Sequence, residues 1–417
     1  MEMKPRSYDK IVELIRKGVD IPNPLTIDIG EEVNVDHISA QGVRVYPGCR
    51  IYGEHTVISA GCQIGYEGPV TIDNCQLGPK VELKGGYFNK SAFLEKANMG
   101  LGAHVREGCI LEEEANGAHC VGIKQTILFP FVTLGSLINF CDCLMAGGKS
   151  RKDHSEVGSS YIHFNFTPDG DKSTASMIGD VPRGVMLNQP AIFLGGQGGL
   201  VGPVRMGFGN VVAANSVLRN DYPEDNKLII GKTYSARTTN FKPRAYAGLR
   251  RVVENNIIYV ANLMALGEWY IHVRRPFLEP QEFGQLLFAG LLDKLAMAKK
   301  ERIKRLQVLG EKACISTDNG AEARPDAAGR NEFHERFSEI EHVFGGAIQD
   351  GALEKLRDEF LSASDGARNE KGVDYIAAIQ GLPVHVSEKG VLWLQNIVDR
   401  CCERVKSIVP SLHLFDK

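Results

Sequence analysis

The chain has no apolar run approaching the roughly 18 residues that cross a bilayer, so no membrane-spanning helix is expected. Its opening stretch, MEMKPRSYDKIVELIRKG, lacks the apolar core of a secretory leader. Charge of one sign is not banked anywhere: 48 Lys and Arg face 51 Asp and Glu, for a formal net charge of -3. Nucleic acid is therefore not an expected partner. These absences predict a soluble, cytoplasmic protein. The ten cysteines include no CxxC pair and no histidine at zinc-finger spacing. Cys141-Asp142-Cys143 supplies two thiols in one strand, half of a metal site, and no metal is expected. In a reducing compartment the cysteines read as small core residues.

Helix-length apolar stripes are missing from about Val33 to Ile230, and a different grammar fills that span. Leu194, Leu200, Met206, Val212 and Leu218 recur at every sixth residue. Shorter phases run through Val45, Ile51 and Val57, through Met99, Val105 and Leu111, and through Leu134, Phe140 and Ala146. A beat of six is the signature of a parallel β-helix, in which three short strands make one coil and one aliphatic per strand stacks inward. A β-sandwich would instead alternate over five or six residues and turn through hairpins. Helical spacing is confined to the two ends. Ile11, Val12, Leu14 and Ile15 form a stripe that Gly18 stops, and beyond Lys232 Leu263, Leu266, Trp269 and Tyr270 share one apolar face. The expected architecture is mainly β: a helix in residues 1–24, a parallel β-helix in 25–232 and an α-helical region in 233–417, with a flexible linker near 315–330. The helices are expected to pack on the β-helix or on a neighbouring subunit.

Several motifs within this frame resemble a known family. IRKGVDIPNP, HVREGCILEE, HCVGIK, SMIGDV and FLGGQGGLVGPVRMGFGNVVAANSVL are similar, in order, to motifs of the acyltransferase half of the bifunctional bacterial enzymes that acetylate glucosamine 1-phosphate and uridylylate the product. The resemblance implies a left-handed β-helix assembled as a homotrimer, with sites between adjacent prisms that take acetyl-CoA, or another acyl-CoA, and a sugar phosphate or sugar nucleotide. The Gly-rich loop of the family's nucleotidyltransferase half is missing, so uridylyl transfer is not expected of this chain.

The same resemblance assigns residues. Arg106 and Lys124 stand where the family contacts the sugar phosphate. Twelve residues after Lys124, the family's catalytic His is replaced by Ser136 and its Tyr by Asn139. Two other histidines are candidates for the base. His154 lies in the inserted basic segment GGKSRKDHSEVG, whose Lys149 and Arg151 could hold a phosphate. His163 opens HFNFTPDGDK, where Asn165 and Phe166 match the family's Asn-Tyr and Lys172 its closing Lys. Asn165 joins the two histidines as a catalytic candidate, with Phe166 and Lys172 placed against the sugar. His104 and His119 read as structural coil residues. Gly196, Ala213 and Ala214 look like the family's CoA-binding coils, and Lys232 is placed to meet the CoA phosphate. The expected function is acyl transfer from acyl-CoA to an amino-sugar phosphate or sugar nucleotide. The alternative is a non-catalytic sugar-nucleotide-binding or scaffold homologue.

Overall fold

In a computed structural model, the chain is described over residues 6–231, 235–318, 326–346, 350–371 and 374–416. The hexad phases resolve into a left-handed parallel β-helix of about 11 turns. Three parallel sheets form its faces. Face 1 has ten strands from Arg44–Val45 to Leu228–Ile229, face 2 has ten from Asp28–Ile29 to Val217–Leu218, and face 3 has eight from Val57–Ile58 to Arg205–Met206. Leu194, Leu200 and Met206 fall on faces 1, 2 and 3 in turn, and each is buried, as the sixfold beat predicts. Left-handed residues turn the corners; between faces 1 and 2 these include Cys120, Leu137, Ser160, Gln197 and Asn215.

The first inward position of face 3 explains part of the cysteine count. Cys75, Ser91, Cys109, Thr126, Cys143 and Ser176 stack there and are fully buried. In four of them the thiol or hydroxyl donates to the carbonyl two residues back: Cys75 to Asp73, Ser91 to Asn89, Thr126 to Lys124 and Cys143 to Cys141. A small side chain with one proton to give thus satisfies a corner carbonyl inside the core. Cys120 is the exposed cysteine among the ten.

Helix α1 (Tyr8–Lys17) lays Ile11 and Leu14 over the first coils. The C-terminal region forms α2 (Leu249–Trp269), α3 (Gly284–Asp318), α4 (Ala327–Glu335), α5 (Phe337–Gly345), α6 (Gly351–Lys371), α7 (Tyr375–Gln380) and α8 (Val384–Ile408). The expected linker starts later than position 315, because α3 continues to Asp318; residues 319–325 lie outside the described residues. The helices pack on face 3 of their own β-helix, with α3 along its strands from Gln76–Leu77 to Cys109–Leu111 and α2 on Ser176–Ile178. Gly290 makes this approach possible, since a Cβ there would lie 2.5 Å from Gln76 Oε1. Among the described residues, face 1 exposes Phe193, Val211 and Leu228 and face 2 exposes Ile162, Phe164 and Val217.

Buried charge ties the two layers together. A π-helical turn, Tyr270–Arg274, follows α2 and aims two polar side chains at the same coil. Tyr270 Oη donates to Glu112 Oε1 at 2.5 Å, and Arg274 Nη2 lies 2.7 Å from Glu113 Oε1 with its guanidinium over the Tyr375 ring. Burial, reinforced by neighbouring Glu113, raises the Glu112 carboxyl to about 7 against the pull of Arg274. A folded-state pKa above the unfolded value of 4.5 means that the native chain holds this proton more tightly. The stability it contributes is complete below about 4.5 and is lost as pH rises through about 7. Thermal melts between pH 5 and 8 should therefore show the wild type losing stability with rising pH relative to Glu112→Gln. Parallel curves would contradict the assignment.

Candidate functional site

The residues singled out in the sequence fall on the three edges of the prism. The edge between faces 1 and 2 carries a column of His119, Ser136, Ser159, Gly196 and Ala214, each just before a left-handed corner residue. His119 is exposed and its Nδ1 lies 2.9 Å from Ser136 Oγ, while Ser136 N donates to Ser159 Oγ at 3.1 Å. Above them the coils are held so close that a Cβ on Gly195 would sit 2.4 Å from Ala214 N. Gly196, Ala213 and Ala214 leave this part of the edge smooth, a shape that suits an extended chain lying against backbone. Lys232 lies outside the described residues.

The edge between faces 2 and 3 carries the positive groups. Arg106 Nη2 donates to Cys141 Sγ at 3.4 Å, Cys141 Sγ donates to Asn139 Oδ1 at 3.1 Å, and Lys124 Nζ pairs with Glu107 at 2.7 Å. Burial raises the Cys141 thiol, and Cys143 faces the core. Among the described residues no group of three His, Cys, Asp or Glu is arranged around a metal.

Face 2 joins these two edges. Its outward positions His104, Gly122 and Asn139 are neighbours in register, and Gly122 leaves an open floor between two exposed side chains. His119 and Lys124 end the same strand segment on opposite edges, about 15 Å apart at the usual strand rise. The floor is polar and flat, with an imidazole at one end and cations at the other.

The loop HFNFTPDGDK begins at this second edge and is held by the helices. Asn165 Nδ2 donates to Asp142 Oδ2 at 2.9 Å, and Asp142 Oδ1 pairs with the buried Arg302 of α3 at 2.5 Å. Tyr246 Oη donates to Asp171, Lys312 Nζ donates to the Asp169 carbonyl, and Ser173 Oγ donates to the Arg305 carbonyl. Phe166 remains exposed and Lys172 takes a left-handed conformation. His163 points inward. It is 1% exposed, its Nε2 contacts Ser176 Oγ at 2.8 Å, and burial lowers its pKa to about 4, so it stays neutral and out of reach of a ligand on the surface.

The basic insertion lies on the remaining edge, between faces 3 and 1, as an antiparallel hairpin of Gly148–Ser150 and Asp153–His154. Arg151 Nη1 reaches back to Glu114 O, Phe131 O and Thr133 Oγ1, binding earlier coils together rather than standing free. The carbonyl of Lys149 accepts from Gln380. His154 Nδ1 contacts Arg151 O at 2.9 Å, and its Nε2 is 3.6 Å from Glu156. Within one chain, this histidine and Ser136 are therefore on different edges. Sequence reasoning treated His119 as a structural residue; the structure places it beside Ser136.

No family model matches the chain. It is 30% identical over 217 residues to the bifunctional protein GlmU of Thermotoga maritima, covering 51% of this chain and 42% of that protein. It is 28% identical over 225 residues to GlmU of Pelobacter propionicus, covering 53% and 43%. The chain thus spans less than half the length of these curated relatives. Among solved structures, UDP-N-acetylglucosamine acyltransferase from Campylobacter jejuni aligns over 66% of this chain and 95% of its own at 13% identity, with a TM-score of 0.18. Over about half its length the chain is similar to GlmU proteins, and its β-helix is consistent with their acyltransferase half.

Proposed function

We propose that the chain transfers an acyl group from an acyl-CoA thioester to an amino-sugar phosphate or sugar nucleotide bound across face 2. The observation that carries this reading is the 2.9 Å contact between His119 and Ser136 on the edge where the resemblance expects a base. In the tautomer whose Nδ1–H donates to Ser136 Oγ, the imidazole Nε2 is left as the basic atom. An acceptor amine attacking the thioester carbonyl forms the C–N bond, gives its proton to Nε2, and the C–S bond breaks; His119 then protonates the departing thiolate. Arg106 and Lys124 suit the acceptor's phosphate, and Asn139 its hydroxyls. The smooth stretch at Gly196, Ala213 and Ala214 suits the pantetheine arm. Lys149, Phe166 and Lys172 suit a contribution from a neighbouring prism. The exposed apolar residues of faces 1 and 2 support a homotrimer.

Purified chain should be stabilised against heat by acetyl-CoA and by glucosamine 1-phosphate, by about 2.7 kcal/mol at a hundredfold excess over Kd. It should also release thiol when both are present. No shift with any CoA ester would overturn the reading. A second reading, a non-catalytic binding homologue, is favoured by the commitment of Arg151 and Lys124 to protein partners. A shift with UDP-N-acetylglucosamine alone would select it.

A further inference from the structure

The helical region holds a cavity of about 390 Å³ that plays no part in the proposed transfer site. It lies between α2, α3, the C-terminal end of α5 with Gly346, the first turns of α6, and α8. Its floor is apolar: Leu263, Leu295, Trp393 and Ile397 line it and are each under 7% exposed. Gly267 widens it. A Cβ there would meet Leu295 Cδ2 at an ordinary 3.5 Å, so helix packing alone does not demand a glycine, although glycine within a helix costs about 1 kcal/mol relative to alanine.

The mouth is charged. Glu268 is 3.2 Å from His272, and Arg357 is held by Asp358 at 2.9 Å. Among the described residues no carboxylate pairs with Lys299, whose ammonium is half-buried at the rim. Burial also lowers its pKa from the ordinary lysine value. A lysine without a counter-ion above an apolar floor is complementary to a ligand with an apolar body and one negative head. Glu268 and Glu354 at the same mouth argue against a doubly charged phosphate head. At water's share of liquid volume, about 30 Å³, the cavity has room for roughly a dozen non-hydrogen atoms.

We infer that this cavity binds an amphipathic monocarboxylate of medium length, its chain against Leu263, Leu295 and Trp393 and its carboxylate on Lys299. The site is independent of the transfer reading and would stand if that reading failed. Calorimetric titration of the full chain with decanoate should give one site per chain and change the fluorescence of Trp393. Lys299→Met should weaken decanoate at least tenfold while leaving decanol unchanged, and decyl phosphate should bind more weakly than decanoate to the wild type. Ala296→Trp, at the exposed mouth, should block decanoate and decanol alike. Absence of decanoate binding to the wild type overturns the inference, as does equal decanoate affinity in the wild type and Lys299→Met.

Discussion

Arg302→Met lowers the stability of the chain by about 3–5 kcal/mol, the usual cost of leaving a buried charge without its partner. Arg302 is 2% exposed and Asp142 6%, so water cannot take over the guanidinium's role. The loss reaches the loop HFNFTPDGDK, because Asp142 also holds the amide of Asn165. Hydrogen exchange should accelerate in residues 163–172 before it changes in the central coils. Arg302→Met with Asp142→Asn recovers part of the stability, since the second change removes the stranded charge. Breaking the exposed Glu224–Lys227 pair leaves the melting curve in place. If Arg302→Met behaved like that surface pair, the helical layer would not be anchored through Asp142.

On the proposed acyl-transfer function, His119→Ala lowers kcat/KM by about 10²- to 10⁴-fold, the range of a lost general base. The side chain is exposed on a corner, so its removal leaves the circular dichroism spectrum and melting temperature near those of the wild type. Ser136→Ala has a smaller effect, because it loosens the ring without removing the basic nitrogen. The split between kcat and KM separates this role from simple ligand contact: loss of a base lowers kcat, whereas loss of a binding contact raises KM. Full activity in His119→Ala would exclude His119 as the base and leave His154, which lies on another edge and would have to act across a subunit boundary.

The coils were legible because each inward aliphatic leaves a mark every six residues, and Leu194 to Leu218 keep that beat without a slip. The contact between His119 and Ser136 was not legible, for a reason of length. Asn98 pairs with Asn116, 18 residues on, whereas Asn116 pairs with Thr133, 17 on. A ruler of three hexads therefore places Leu137, not Ser136, opposite His119. His163 opens the interrupting segment HFNFTPDGDK and so looked like a loop or corner residue, yet it occupies an inward strand position beside Phe140. The basic insertion gave no sequence sign that Arg151 would spend its hydrogen bonds on backbone carbonyls of earlier coils. The apolar stripes of α2 and α3 announced helices that bury one side. They carried no information about which face of the prism would receive them.

The stacked column of Cys75, Ser91, Cys109, Thr126, Cys143 and Ser176 also makes the interior chemically quiet. Burial pushes the thiols of Cys75, Cys109 and Cys143 upward, Cys75 to about 12, so they keep their protons at any pH a cell reaches. An oxidant needs the thiolate, and a peroxide meeting this chain finds none along the column. Cysteine is interchangeable there with serine and threonine as a shape, and the three cysteines of the column are structural rather than redox-active.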